Sequence, residues 1–214
     1  MKLISVCLMA FFLVMSLNFG LVFAHSSYQF PGVNPGQVNE ALGKIVPVRF
    51  LPSHPLYFLI SVKEMFARLV RPSAEKKASF DFIVAGKRLK ETYMAHEAND
   101  LKNTKRGLLR YSRQLEKFAQ QFEKTKSQKL DMTSLVLEVA EGLKDHETLL
   151  MAIFNKNREA GSLDSDLDMN LDDAFSNFGR AVFLVDEIKP GLKDRYKSIT
   201  GDDSVPTIVY PTPF

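Results

Sequence analysis

The sequence predicts an all-α protein, a bundle of about five helices preceded by a signal peptide and an extended Pro/Gly-rich strap. Three observations predict it. Apolar residues recur every three or four positions over five long stretches, the spacing that lays one stripe along a helix. Beyond the strap, only Thr207 to Tyr210 alternates apolar and polar residues as a half-buried strand does, and prolines 206, 211 and 213 frame it. Prolines and glycines collect before the periodic region and after it, where they punctuate loops.

Residues 1–24 open on Met1 and Lys2, run uncharged from Leu3 to Phe23, and close on Val22-Phe23-Ala24. A positive start, an apolar run and small residues at the cleavage positions make a secretory signal. The rival reading is an uncleaved N-terminal anchor, since about 20 apolar residues span a bilayer. Either reading places the remainder outside the cytoplasm. The single cysteine, Cys7, lies in this segment, so a cleaved chain forms no disulfide and its apolar core must stabilise it alone. No lipobox surrounds Cys7.

Residues 25–52 hold prolines at 31, 35, 47 and 52 and glycines at 32, 36 and 43. Such punctuation predicts an extended strap. Its apolar residues, among them Tyr28, Phe30, Ile45, Val48 and Phe50, are too many for a wholly solvated linker, so part of it is expected to lie on the body. The helical bundle domain is assigned to residues 53–200, and a Pro-rich tail to 201–214.

In the bundle, Leu56, Leu59, Val62, Phe66 and Leu69 mark the first helix and its expected buried stripe, stopped at Arg71-Pro72. Pro55 suits the first helical position and forces His54 before it into extended backbone. A second helix is predicted from Ser73 to Ala98, with Ala78, Phe82, Ala85, Leu89 and Tyr93 on its stripe. Leu101, Leu108, Tyr111, Leu115, Phe118 and Phe122 mark a third. Met132, Val136, Val139, Leu143, His146, Leu150 and Ile153 mark a fourth, which Asp131 or Thr133 can cap. Leu171, Ala174, Phe178, Val182, Val185 and Ile188 mark a fifth, closed by Pro190-Gly191.

Charge is divided along the chain. Residues 63–129 carry 17 Lys and Arg against 8 Asp and Glu, and residues 131–203 carry 16 acids against 8 bases, within a net charge of only +3. Two readings follow. The basic hairpin of the second and third helices docks on the acidic fourth and fifth, or a basic face attracts an anionic partner. The candidate interaction surface is Lys87, Arg88, Lys102, Lys105, Arg106, Arg110 and Arg113. Its candidate partners are an envelope protein, the anionic membrane surface or a wall polymer. Nucleic acid is not expected in that compartment, and no zinc-finger spacing or aromatic-interleaved basic strand argues for it.

His146 falls on an apolar seam. Helix-bundle metal sites pair each histidine with a glutamate three residues earlier, but Leu143 and Tyr93 precede His146 and His96 at that distance. A core histidine bonded to a carbonyl or a tyrosine is the preferred reading, and a ligand- or metal-binding sensor around His146 is the alternative. Asp164 to Asp173 echoes a calcium loop, yet Met169 replaces the turn glycine and Phe175 the closing glutamate. An acidic helix start is therefore expected there, complementing the helix dipole. No nucleophile elbow and no phosphate-cradling glycine loop is present. The sequence thus predicts a non-enzymatic protein without cofactor, binding or scaffolding at the cell envelope.

The segments LPSHPLYFLISVKEMF and EKKASFDFIVAGKRLKE, within Leu51 to Glu91, resemble the bacterial domain-of-unknown-function family 5667, whose members are exported or membrane-tethered helical proteins. The resemblance rests on Phe30-Pro31-Gly32, on Leu51-Pro52-Ser53-His54-Pro55-Leu56-Tyr57, and on Ala85-Gly86-Lys87-Arg88-Leu89. Asp145-His146-Glu147 resembles the later helix of such proteins. Ser53 and Arg71 stand where the family pattern has Asp, and Gly86 where it has Glu. Mid-helix, that glycine costs about 1 kcal/mol relative to Ala. The resemblance implies fold and compartment, and no catalytic residue.

Overall fold

The computed structural model describes residues 32–161 and 164–192. Residues 1–24, read from the sequence as a signal, the tail and the alternating Thr207 to Tyr210 lie outside the described residues. Six helices are found among them: α1 (Pro35–Lys44), α2 (Tyr57–Leu69), α3 (Ala74–Glu97), α4 (Leu101–Ser127), α5 (Thr133–Glu159) and α6 (Ser165–Asp186). No strand occurs among the described residues.

The four long helices form the bundle, and their ends follow local rules. Ser73 Oγ accepts the Lys76 amide at 3.2 Å, Asp100 that of Asn103 at 3.1 Å, and Asp164 that of Leu167 at 3.1 Å, each satisfying an amide that a helix start leaves unpaired. The α5 start has Met132 at its cap position, and Asp131 reaches past it to accept the Thr133 amide at 2.9 Å. The turn from α3 to α4 puts Asn99 in the left-handed region, with φ of 56°, which asparagine tolerates better than most residues.

Contacts along the helices fix their directions. Thr92 meets Gly107 and Phe82 meets Phe118, so α3 and α4 are antiparallel. Phe82 meets His146 and Glu97 meets Lys156, so α3 and α5 are parallel. Lys105 meets Asp164 and Glu123 meets Arg180, so α4 and α6 are parallel. Around the bundle the order is α3, α4, α6, α5. Leu89, Leu108, Tyr111, Leu115, Phe118, Phe122, Leu150, Ile153, Leu167 and Phe178 fill the centre, all essentially buried. Gly107 lets α4 approach α3 closely, because a Cβ there would stand 2.2 Å from Thr92 Oγ1.

Two expectations change. Part of residues 25–52, expected to be extended, is the helix α1. Asn34 and Gln37 form a reciprocal capping box at 2.9 and 3.0 Å, and Pro35 occupies the first turn, where a missing amide costs nothing. Val38, Ala41 and Ile45 are buried in the common core, with α1 packed on α5. A strong start and three buried side chains outweigh two glycines.

The second change concerns α2. It begins at Tyr57, not Pro55, after turns in which the His54 carbonyl accepts the Tyr57 amide at 3.0 Å. His54 itself is exposed, stacks on Phe50, and accepts the Leu56 amide on Nδ1 at 3.1 Å. The helical period holds, but the stripe expected in the core faces solvent: Leu56, Leu59, Val62, Phe66 and Leu69 are 45, 50, 43, 57 and 73% exposed.

Candidate interaction surface

The inward side of α2 is polar because of what it must cover. On α3, Asp81 and Glu91 are 0 and 1% exposed, and a buried carboxylate is tolerated only when paired and hydrogen-bonded. Arg68 of α2 grips Asp81 through Nε and Nη2, at 2.8 to 3.0 Å, and Gln114 of α4 donates to the same carboxylate at 2.9 Å. Tyr57 donates its hydroxyl to Glu91 at 2.6 Å. Arg88 bonds Glu91 at 3.0 Å and also engages Tyr57 and Glu64, while Lys87 reaches Glu64 at 2.6 Å. Burial first, and Glu91 second, raise the pKa of Tyr57, so the phenol stays a donor.

These contacts place α2 over the groove between α3 and α4. Guanidinium groups from both helices, Arg88 at 5.5 Å and Arg110 at 5.2 Å, lie against the Tyr57 ring. Outward, Leu56, Phe58, Leu59, Val62, Met65, Phe66, Leu69 and Val70 form a continuous apolar face along a helix about 20 Å long. Monomeric proteins seldom leave such a face open without a use for it.

The seven basic residues of the candidate surface divide. Lys87 and Arg88 belong to the ionic cluster beneath α2. Lys105 pairs with Asp164 at 3.1 Å and Asp166 at 3.6 Å, tying α4 to α6. Arg110 rests on Tyr57. Lys102, Arg106 and Arg113 are exposed, and among the described residues none of them forms an ion pair. Spaced at four and seven residues, they share an edge of α4 with Leu109. Arg106 and Arg113 stand one turn to either side of Arg110, which rests on Tyr57 of α2. Glu116 lies on that edge too, and Asp100 at the helix start is near enough to Lys102 and Arg106 for their charges to help lower its pKa, after the hydrogen bonds it accepts from Asn103. The charge division is thus partly internal, through Lys105 and through Lys126 with Glu187 at 2.7 Å, and partly an open basic rim.

The interior around His146 is filled. Its ring stacks on Phe82 at 4.6 Å, meets the edge of Tyr111, and sets Nδ1 3.3 Å from the Tyr111 hydroxyl. Gly86 makes the room: a Cβ there would lie 2.7 Å from His146 Nε2. Burial drives the His146 pKa down to about 3, so the ring is neutral. His96 is also buried, and burial followed by the nearby Lys156 charge lowers its pKa. Among the described residues no three His, Cys, Asp or Glu side chains converge as a metal site. The acidic run forms the N-cap and first turns of α6, with Asp168 accepting from Asn157 at 3.0 Å. An open cleft of about 290 Å³ between the starts of α3 and α5 is lined by Arg71, Glu75, Lys76, Ser79, Ser134 and Glu138. Ser79 there donates to Glu138 at 3.0 Å, a surface contact without a buried base.

Sequence reasoning missed the inverted placement of α2. A signal was present: Asp81 and Arg88 sit seven residues apart beside the Ala78, Phe82, Ala85, Leu89 stripe, and charges at that position need covering partners. Comparison with protein-family models, with curated proteins and with solved structures finds no match for this chain.

Proposed function

We propose that this chain is a non-enzymatic helical protein that binds or scaffolds at the cell envelope, with α2 and the neighbouring basic edge of α4 as its contact surface. The observation that carries this reading is the apolar face of α2, held outward by a buried ionic seat on α3. A helix fixed by Arg68, Tyr57 and Glu64 spends its polar groups inward and leaves Phe, Leu and Met side chains for a partner. The uncharged Leu3 to Phe23 supports the compartment. The helix-breaking cost of Gly86 finds its physical reason in His146 packing, which favours a structural role for that histidine over a sensor role.

The test is co-sedimentation of the full chain with an envelope fraction holding membrane and wall polymer. The paired variant Leu59→Ser and Phe66→Ser, which alters only exposed positions, is expected to sediment far less than the parent. Equal sedimentation of the two, or none by the parent at low salt, would refute the reading.

A further inference from the structure

Resting on the reading above, the geometry points to a specific partner for this surface: a lipid bilayer bearing anionic headgroups, on which α2 lies flat with its apolar face among the acyl chains. Four observations combine. The face is formed by one helix and the residue before and after it, and all eight of its large apolar side chains are exposed. It is bordered by cations: Lys63 on α2, and Arg106 and Arg113 on α4, are exposed, and Lys102 continues the α4 edge. Acid is sparse on the same side: residues 41–74 contain only Glu64, which is consumed by Lys87 and Arg88, and the α4 edge adds Glu116 and, at its start, Asp100. Finally, Leu3 to Phe23, read from the sequence as an export signal or anchor, brings the chain to a membrane in either role.

An apolar helix face rimmed by Lys and Arg is how interfacial helices bind anionic lipid, apolar burial and headgroup attraction adding together. A second copy of this chain suits the face less well. A two-fold interface sets the same patch against itself, so a patch bearing Lys63, Arg106 and Arg113 would meet a patch of the same positive sign, with no exposed α2 acid to offset it.

The seat on α3 explains how the face stays usable in water. The Asp81–Arg68 fork and the Glu64 pairs fix α2 without its apolar side chains, so those side chains can enter lipid while the bundle keeps its core. Docking then needs no unfolding of α3 to α6.

The test uses the full chain with Cys7→Ser and Met65→Cys, carrying a polarity-sensitive fluorophore at position 65. That readout is local to α2, so insertion of residues 3–23 alone does not produce it. With vesicles containing phosphatidylglycerol the emission should shift to the blue, with clearly weaker partitioning into phosphatidylcholine vesicles. Lys102→Gln, Arg106→Gln and Arg113→Gln together should weaken partitioning on the order of 100-fold at low salt, since each base near an anionic surface adds about fivefold. A label that stays water-exposed on phosphatidylglycerol overturns the lipid proposal. If envelope co-sedimentation persists in that case, the binding reading survives with another partner; if both fail, both fall. A label already blue-shifted without vesicles shows α2 covered by a second copy or by the chain's own apolar segment, and also overturns it. Equal partitioning into both vesicle types overturns the role of the basic edge.

Discussion

Gly86→Ala opposes two effects of known size. Alanine in a helix interior is favoured over glycine by about 1 kcal/mol. The added methyl, however, would stand 2.7 Å from His146 Nε2, closer than any ordinary contact. His146 cannot simply retreat, because Phe82 stacks on it at 4.6 Å and Tyr111 closes its edge at 5.6 Å. Overpacking of that kind costs about 1–3 kcal/mol. The net expectation is a loss of about 0–2 kcal/mol, or up to several degrees in Tm at about 2–4 °C per kcal/mol. The decisive quantity is the coupling with His146. In a His146→Ala background the space opens, and Gly86→Ala should then stabilise by about 1 kcal/mol. Urea unfolding followed by helical circular dichroism measures all four corners of the cycle, with a coupling of about 1–3 kcal/mol expected. If Gly86→Ala stabilises equally in both backgrounds, α3 and α5 do not meet at these residues.

Three further outcomes are expected. Tyr57→Phe removes the hydroxyl that donates to the buried Glu91 at 2.6 Å and should cost about 1–2 kcal/mol in urea unfolding. Arg68→Met leaves the fully buried Asp81 with Gln114 as its remaining side-chain partner; Arg68 is itself one-third exposed, so a loss of about 1–3 kcal/mol is expected, at the lower end of what stranding a buried charge costs, together with faster amide exchange in α2. Acid should weaken the fold through His146. Its folded pKa of about 3 lies below the unfolded value near 6.5, so unfolding takes up a proton in that interval. Its contribution is fully present above about pH 6.5 and drains as pH falls toward 3, by up to about 1.4 kcal/mol per pH unit. His146→Phe should flatten the pH dependence of the urea midpoint between pH 6 and 4 on the scale of that one site, and an unchanged slope would count against a buried neutral ring.

How much of this fold was legible depends on where each helix finds its partners. The α3 to α6 stripes were readable because residues such as Phe82, Leu115, Val139 and Phe178 meet one another in one apolar core, the situation that hydrophobic periodicity describes. His146 was legible as a core residue bonded to a carbonyl or a tyrosine from its place between Leu143 and Leu150, and the packing puts the Tyr111 hydroxyl beside it. The helix α1 was hidden because Pro35 and Gly36 read as breakers, although a proline in the first turn after Asn34 is a start signal. The α2 stripe misled for a different reason. Periodicity locates an apolar face without saying which way it points, and here the carboxylates of Asp81 and Glu91 on α3 bind the opposite face. The seven candidate bases could not be sorted from sequence alone, since only packing shows that Lys87, Arg88, Lys105 and Arg110 are engaged while Lys102, Arg106 and Arg113 are open.

Everything proposed here depends on α2 showing its apolar face to water. Thiol labelling of single-cysteine chains in the Cys7→Ser background tests this directly, with Leu69→Cys compared against Ala85→Cys, at positions 73 and 0% exposed. Leu69→Cys is expected to react at nearly the rate of a free thiol, and Ala85→Cys only through opening of the bundle. Protection of Leu69→Cys to the level of Ala85→Cys would mean that α2 is turned inward, and would contradict the account.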